Sequence, residues 1–207
     1  MARNWTGRSR AGGARLEVVI PAVLHRFHNK RFAEMPDHVL PTVAGFLTVD
    51  GGQPFTVGVY HATPFGRGMR GDQAERLAAA VAGRGQRVAI GGDWSNISAA
   101  RKANGAFYDE DPYAGHAFRP SWIHQCVWTY KPDGTRVHEA DRNASDILLA
   151  GGLYDAAAAG RRWRATVGHH ESDGIGVSRR IDGFYVDGSC CRRCAAARCS
   201  TPRRPRD

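Results

Sequence analysis

Three polar residues that could perform acid–base or metal chemistry each lie at one end of an apolar run. His61 closes the run Thr-Val-Gly-Val-Tyr-His, Asp93 closes Val-Ala-Ile-Gly-Gly-Asp, and Asp182 opens Asp-Gly-Phe-Tyr-Val. An imidazole titrates near neutral pH and suits proton transfer, whereas a carboxylate can orient a base or bind a hard cation. If the three runs are neighbouring strands, we expect these side chains to converge at one edge of the sheet, where a metal or a proton could be bound.

Each of these residues also fits an ordinary structural role. Asp93 is followed by Trp94, Ser95 and Asn96, so it could cap a turn or a helix. His61 could equally be a half-buried histidine at the end of a strand. The functional interpretation therefore depends on the three residues occurring together.

The sequence predicts the elements that would position these residues. Apolar alternation on both sides of Asp-Gly at 50–51 indicates a hairpin, and the Ala-rich segment 73–81 predicts a helix on one face of the sheet. The predicted strands are 16–24, 43–49, 54–62, 87–91, 122–130 and 180–186. A loop is predicted over 31–41, a loop-rich region over 97–142, and a short helix over 146–149 with Ser145 as its cap.

Length and composition predict one globular domain with an anionic partner. The chain has 207 residues, of which 42% are hydrophobic and 24% charged, with a formal net charge of +9 at pH 7. That charge favours nucleic acid or a phosphorylated small molecule as the partner. No apolar run is long enough for a membrane span and the first residues lack a secretory signal, so we expect a cytoplasmic location and no membrane partner. The Arg/Ala/Gly-rich composition is typical of a GC-rich genome and indicates a bacterial source.

Taken in order, the motifs resemble those of the endonuclease/exonuclease/phosphatase superfamily, which has the deoxyribonuclease-I-like fold. The resemblance covers roughly residues 21–189 and includes the strand that ends in His61, Gly-Asp-Trp at 92–94 and Arg-Ile-Asp at 180–182. It implies an α+β fold, a partial four-layer α/β/β/α sandwich with largely antiparallel or mixed sheets. The implied organisation is a disordered basic N-terminus (1–15), an incomplete domain of this family (16–189) and a disordered Cys/Arg-rich tail (190–207).

The resemblance also implies a reaction and a set of site residues. The reaction is metal-dependent hydrolysis of a phosphodiester or phosphomonoester, with Mg²⁺ as the cofactor. His61 would serve in acid–base work or contact the phosphate, Asp93 would contact the metal or the attacking water, and Asp182 would orient a partner. Ser95, Asn96 and Arg180 are assigned to substrate binding. The family places an Asn two residues after the acid; here Ser95 holds that position and Asn96 follows it.

Two parts of the family pattern are not found in this sequence. There is no metal-binding Asn and Glu before residue 21, and no Ser-Asp-His after residue 182. We therefore expect a chain that is truncated at both ends and has impaired activity. The alternatives are a non-catalytic basic module that binds nucleic acid or phosphate, and a gene fragment.

The C-terminal segment and three other polar clusters have open interpretations. Residues 190–207 are predicted to be a frameshifted end, with a zinc knuckle or a basic nucleic-acid-binding tail as alternatives. Acidic residues at 109–111 are predicted to form a solvated loop, and His169-His170 to be exposed. The tail cysteines are Cys190, Cys191, Cys194 and Cys199, and candidate phosphate contacts around Trp163 are Arg161, Arg162 and Arg164.

Overall fold

The computed structural model describes residues 30–34, 44–49, 55–82, 87–160, 163–168 and 176–189. Within those ranges the strands are β1 (Lys30–Glu34), β2 (Ala44–Val49), β3 (Phe55–His61), β4 (Arg87–Asp93), β5 (Cys126–Tyr130), β6 (Arg136–Ala140), β7 (Leu153–Asp155) and β8 (Asp182–Asp187). The helices are α1 (Arg67–Ala82), α2 (Asn143–Ala150) and α3 (Ala156–Gly160), and a 3-10 turn spans Pro120–Trp122. In the described ranges, no helix combines the length and the apolar character that crossing a membrane requires.

Six of these strands form one mixed sheet. Their order across the sheet is β1-β2-β3-β4-β8-β7, and β5 and β6 form a separate two-stranded ribbon. β3 and β4 are parallel, joined through α1, whereas the other neighbouring strands of the sheet are antiparallel. The predicted α+β class with mixed and antiparallel pairing is thereby confirmed.

The main core lies between the sheet and the helices α1 and α2. Helix α1 turns Ala74, Leu77 and Val81 inwards at the three- and four-residue spacing of a helix face. They pack with buried side chains of the strands and of α2, among them Tyr60, Val88, Ile90, Tyr185 and Leu148. One helical layer thus covers one sheet, which accounts for two of the four layers that the resemblance implied.

The opposite face of the sheet is partly open in the described structure. Phe184 on β8 is 55% exposed and Tyr154 on β7 is 43% exposed. The Phe184 ring lies against Gly91 of β4, where an added Cβ would come within 2.6 Å of it. His61, Asp93 and Asp182 lie in line with this face at the end of the three strands.

A second core lies in the region that was predicted to be mainly loop. Buried aromatic and aliphatic side chains pack around the β5–β6 ribbon, namely Ile97, Tyr113, Trp122, Cys126, Ala140 and Val177. The prediction that the acidic residues at 109–111 form a solvated loop is wrong for Asp109, which is only 2% exposed. Asp111 is also used structurally: its carboxylate accepts hydrogen bonds from the backbone N–H groups of Tyr113 and Ala140, each at 2.8 Å.

Several element predictions are wrong in their boundaries. Part of the predicted loop 31–41 is strand β1, because its pairing with β2 outweighs its polar composition. Helix α1 begins six residues before the predicted start, after Gly66, whose φ is 76°. Ser145 is not the cap of α2 but lies inside it, where its hydroxyl contacts the Tyr185 hydroxyl at 2.6 Å and accepts from the Ala99 N–H.

Some predictions fall outside the described residues. They concern the strand 16–24, Arg161 and Arg162, the His169-His170 pair, and all of the cysteine-rich tail. The predicted boundaries of the N-terminal segment, the domain and the tail stay predictions.

Candidate active site

The sheet register brings His61, Asp93 and Asp182 into one row. His61 of β3 is the register partner of Asp93 of β4, and Asp93 is the partner of Asp182 of β8. β3 and β4 run parallel and end at the same edge, while β8 runs antiparallel and begins there. The imidazole Nε2 of His61 lies 3.7 Å from Oδ2 of Asp93, with the two side chains 42% and 32% exposed. The three residues therefore share one solvent-accessible rim, as the sequence predicted.

The carboxyl group of Asp93 is held in an environment that disfavours its charge. Burial is the main cause that raises its pKa above the ordinary value, and the nearby negative charge of Asp182 adds to the increase. The Ser95 backbone N–H, the electrostatic interaction with His61 and the Ser95 hydroxyl oppose the increase, but the net shift is upwards. A raised pKa means that this carboxyl group takes up a proton more readily than an exposed aspartate does.

Ser95 is the residue that fixes the Asp93 carboxylate. Its backbone N–H and its hydroxyl both donate to Oδ1 of Asp93, at 2.8 Å and 3.1 Å. Ser95 is 3% exposed and has a φ of 49°, a left-handed backbone conformation that is uncommon for a residue with a side chain. The hydroxyl thus supports Asp93 from inside the protein. Its predicted contact with substrate stays a prediction that this placement does not favour.

Asn96 also points into the protein. The residue is 4% exposed. With its amide turned to satisfy both partners, Nδ2 donates to the Trp94 carbonyl at 3.1 Å and Oδ1 accepts from the Ser145 N–H at 2.9 Å. The amide therefore ties the loop after β4 to helix α2, and its predicted role in substrate binding has no support from this position.

Arg180 forms a buried ionic cluster with Asp109 and Asp155. Its guanidinium donates to Oδ1 of Asp109 at 3.0 Å and to both carboxylate oxygens of Asp155. Burial lowers the arginine pKa, but the hydrogen bonds and charges of Asp155 and Asp109 outweigh it and raise the pKa above the ordinary value. The predicted substrate contact of Arg180 stays a prediction, while these bonds give it a structural role just ahead of Asp182.

Sequence reasoning missed the residues that position the start of β8. The hydroxyl of Thr166 accepts from the backbone N–H groups of Ile181 and Asp182, at 3.1 Å and 3.2 Å. Asp155, Asp109 and Thr166 are separated from β8 by loops, so no local spacing could have indicated these contacts. Asp155 is 2% exposed and accepts hydrogen bonds from Arg180, which gives it a structural role.

The candidate metal ligands are two carboxylates, those of Asp93 and Asp182. Over the ranges that the structure describes, no group of three or more His, Cys, Asp or Glu side chains is arranged to hold a metal ion. Any cation at this rim would therefore take its remaining ligands from water or from a substrate.

No protein-family model and no curated protein matches the sequence. Similar solved structures include a mannosyl-6-phosphatase from Bacteroides thetaiotaomicron, with a TM-score of 0.38 and 14% identity over 72% of this chain and 43% of that one. An endonuclease/exonuclease/phosphatase family protein from the same organism has a TM-score of 0.40 and 14% identity, over 79% of this chain and 50% of that one. SmcL has a TM-score of 0.39 and 10% identity, over 76% and 49%. The chain spans half or less of the length of each of these proteins.

Proposed function

We propose that this chain carries a metal-dependent phosphoester hydrolase site of the endonuclease/exonuclease/phosphatase type at His61, Asp93 and Asp182. The observation that carries the proposal is the row of three register partners on β3, β4 and β8. Three segments that are distant in sequence, each ending or beginning in a motif of that superfamily, place an imidazole and two carboxylates side by side. A nuclease and a phosphatase would use the same chemistry at this rim.

The two carboxylates fit the ligand set of Mg²⁺. This ion is commonly held by one or two carboxylates, with water and substrate phosphate oxygens completing its shell. Asp93 and Asp182 repel each other, as the raised pKa of Asp93 reflects, and a cation held by both would relieve that repulsion. A bound Mg²⁺ would neutralise negative charge on the phosphoryl oxygens.

The chain's own residues would then orient the substrate and move the proton. Asp93 is held in one orientation by Ser95, so its second oxygen can accept a proton from an attacking water or orient that water. The imidazole of His61 stands at the same rim, accessible to a phosphate, and can donate a proton or a hydrogen bond to it. Asp182 shares the negative charge of the rim and lies next to Asp93.

The test is hydrolysis of plasmid DNA and of a small phosphoester, measured with and without Mg²⁺. We expect Mg²⁺-dependent turnover that Asp93→Ala lowers by a factor of about 10²–10⁴, the range for removal of one acid–base group. Asp72→Ala, an exposed acid on α1, is the matched control and should keep full activity. Turnover that survives Asp93→Ala unchanged, or that needs no divalent ion, would contradict the proposal.

A second candidate is a non-catalytic module that binds nucleic acid or phosphate. The formal net charge of +9 favours it, because basic proteins attract polyanions with an affinity that falls steeply as salt rises. Salt-sensitive binding of DNA with no turnover at any Mg²⁺ concentration would favour this module over the hydrolase.

A further inference from the structure

A cleft of about 550 Å³ opens beside the segment that leads into β8. This volume lies within the range of small-molecule sites in proteins. Arg180 lines the cleft and stands two residues before Asp182. The segment 163–168, which carries Trp163 into the cleft, is tied to the start of β8 through the Thr166 hydroxyl. The cleft is thus connected to the proposed catalytic rim by a short stretch of hydrogen-bonded backbone.

Two aromatic side chains line this cleft, those of Tyr108 and Trp163, and the indole of Trp163 is the more exposed of the two. This residue is 51% exposed, whereas Trp94 and Trp122 are 4% and 0% exposed and belong to the two cores. A single exposed aromatic residue is ordinary on a protein surface. An indole that lines a concave site instead offers a flat face on which another ring can stack.

The charges that line the cleft cancel. Three cationic and three anionic residues contribute to its wall, namely Lys102, Arg179 and Arg180 against Asp109, Glu110 and Asp111. The Arg180 guanidinium is moreover occupied by Asp109 and Asp155. A wall of zero formal charge gives little attraction to a free phosphate and suits an uncharged ring with polar edges.

The sequence next to Trp163 is basic. The sequence reads Arg-Arg-Trp-Arg at 161–164, and Arg164 is exposed. Aromatic side chains among basic ones are the common means of binding single-stranded nucleic acid, in which bases stack on rings and phosphates contact the cations. The exposed Glu110 and Lys102 can respectively accept from a base amino group and donate to a base carbonyl or ring nitrogen.

We propose that this cleft binds a nucleobase stacked on Trp163, with an adjacent phosphate contacted by Arg164. The inference rests on the proposed hydrolase site and deepens it, because it names nucleotides or single-stranded nucleic acid as the substrate class. It is also a statement about binding alone, which can be measured without turnover.

The test compares binding of two single-stranded oligonucleotides of equal length, one with bases and one with an abasic backbone. Measurements use the full chain in EDTA at fixed salt. Trp163→Ala should weaken binding of the base-containing strand roughly tenfold to a hundredfold, the usual effect of removing one stacking platform. It should leave binding of the abasic strand unchanged, and Trp163→Phe should keep most of the affinity. Tyr130→Ala removes a 70% exposed aromatic residue on the β5–β6 ribbon and serves as the control.

The salt dependence separates the two parts of the contact. Trp163→Ala should leave the slope of log affinity against log salt unchanged, and Arg164→Ala should reduce it by about one unit. Equal weakening for both strands in Trp163→Ala, or the same loss in Tyr130→Ala, would overturn the proposal. So would displacement of the oligonucleotide by methyl mannoside in the wild type, since that result would assign the cleft to a sugar ring.

Failure of this inference can be told apart from failure of the hydrolase proposal. Asp93→Ala should lower hydrolysis of glycerol 2-phosphate, which has no base, by a factor of about 10²–10⁴ while keeping the preference for the base-containing strand. Trp163→Ala should raise KM for a single-stranded oligonucleotide by a larger factor than KM for glycerol 2-phosphate. An Asp93→Ala variant without the base preference, or an unchanged oligonucleotide KM in Trp163→Ala, would overturn the nucleobase assignment.

Discussion

Asp93 combines a position in the candidate active site with a cost in stability. Folding partly buries the Asp93 carboxyl group and places the Asp182 carboxylate near it. Both effects raise the pKa of Asp93. At any pH above that folded-state pKa, the charged carboxylate opposes folding, and the opposition is lost as the pH falls through it. Groups whose charge is disfavoured in the folded state are typical of functional sites.

Asp93→Asn should therefore raise the thermal midpoint at pH 7. The Asn side-chain oxygen can still accept from the Ser95 N–H, so the local structure is retained while the disfavoured charge is removed. The gain should shrink on acidification and vanish below the ordinary carboxyl pKa of 3.8, where Asp93 is protonated in both states. Thermal unfolding at several pH values measures this, with the exposed Asp72→Asn as control. A lower midpoint at pH 7 would show instead that the Asp93 charge stabilises the fold.

At the residue scale, the sequence identified the rim but not its supports. His61, Asp93 and Asp182 could be singled out because each one interrupts an apolar run at a strand end. The placement of Arg180 depends on Asp109 and Asp155, which lie 71 and 25 residues away. Such partners meet only in the folded chain, so the Arg-Ile-Asp motif could not reveal that its arginine is already paired.

The strands β3 and β4 approach each other closely at Gly92. A Cβ added there would lie 1.7 Å from the backbone carbonyl oxygen of Tyr60, which cannot move without separating the two strands. At Gly91 the obstacle is the ring of Phe184 at 2.6 Å, an exposed side chain that can rotate away. At position 92 a larger residue would collide with the backbone of Tyr60, so glycine is required there. At position 91 it would meet only the Phe184 side chain.

A series of glycine-to-alanine variants tests this difference. Gly92→Ala should destabilise the protein by about 3 kcal/mol and reduce any activity, because Asp93 is its neighbour. Gly91→Ala should cost about 1 kcal/mol or less. Gly68→Ala in α1, where nothing lies within 4 Å of the new Cβ, should stabilise by about 0.5–1 kcal/mol. Chemical denaturation gives the three values, and equal effects at positions 91 and 92 would contradict this description of the strand contact.

At the element scale, segments with a strong apolar pattern were predictable from the sequence. Segments whose conformation depends on pairing with another strand were not. β3, β4 and α1 followed from apolar periodicity and were right in type. β1 was missed because its residues are polar and its conformation depends on pairing with β2. β6 was missed because its sequence, Arg-Val-His-Glu-Ala, has only weak alternation and becomes a strand through β5.

At the scale of the whole molecule, Arg180 joins three parts of the fold. Asp155 belongs to β7, Asp109 to the long connection between β4 and β5, and Arg180 itself leads into β8. All three side chains are buried. The six-stranded sheet and the connection between β4 and β5 therefore share one ionic cluster, which includes the residue two positions before Asp182.

Arg180→Gln should destabilise the protein by about 3–5 kcal/mol, because it leaves two buried carboxylates without their cation. Arg164→Gln, at an exposed arginine, should change stability by less than about 0.5 kcal/mol. Chemical denaturation monitored by tryptophan fluorescence measures both. A loss below about 1 kcal/mol for Arg180→Gln would mean that the ionic cluster contributes little to the stability of the fold.

The α+β class and the shared rim were predictable for the molecule as a whole, since an ordered set of motifs is more specific than any one of them. The second core was not predictable. Its members, such as Ile97, Trp122 and Val177, are scattered over a region with little periodicity. Their burial is a property of the folded chain that no short window displays.

The strand order has a consequence for the order in which the sheet can form during synthesis. β8 lies between β4 and β7, although both of them are synthesised before it. Until residues 182–187 leave the exit tunnel, β4 therefore has an unpaired backbone on one side, available to a neighbouring nascent chain or a chaperone. The same late insertion delivers Asp182 beside Asp93, so the candidate catalytic row is completed in the step that closes this gap.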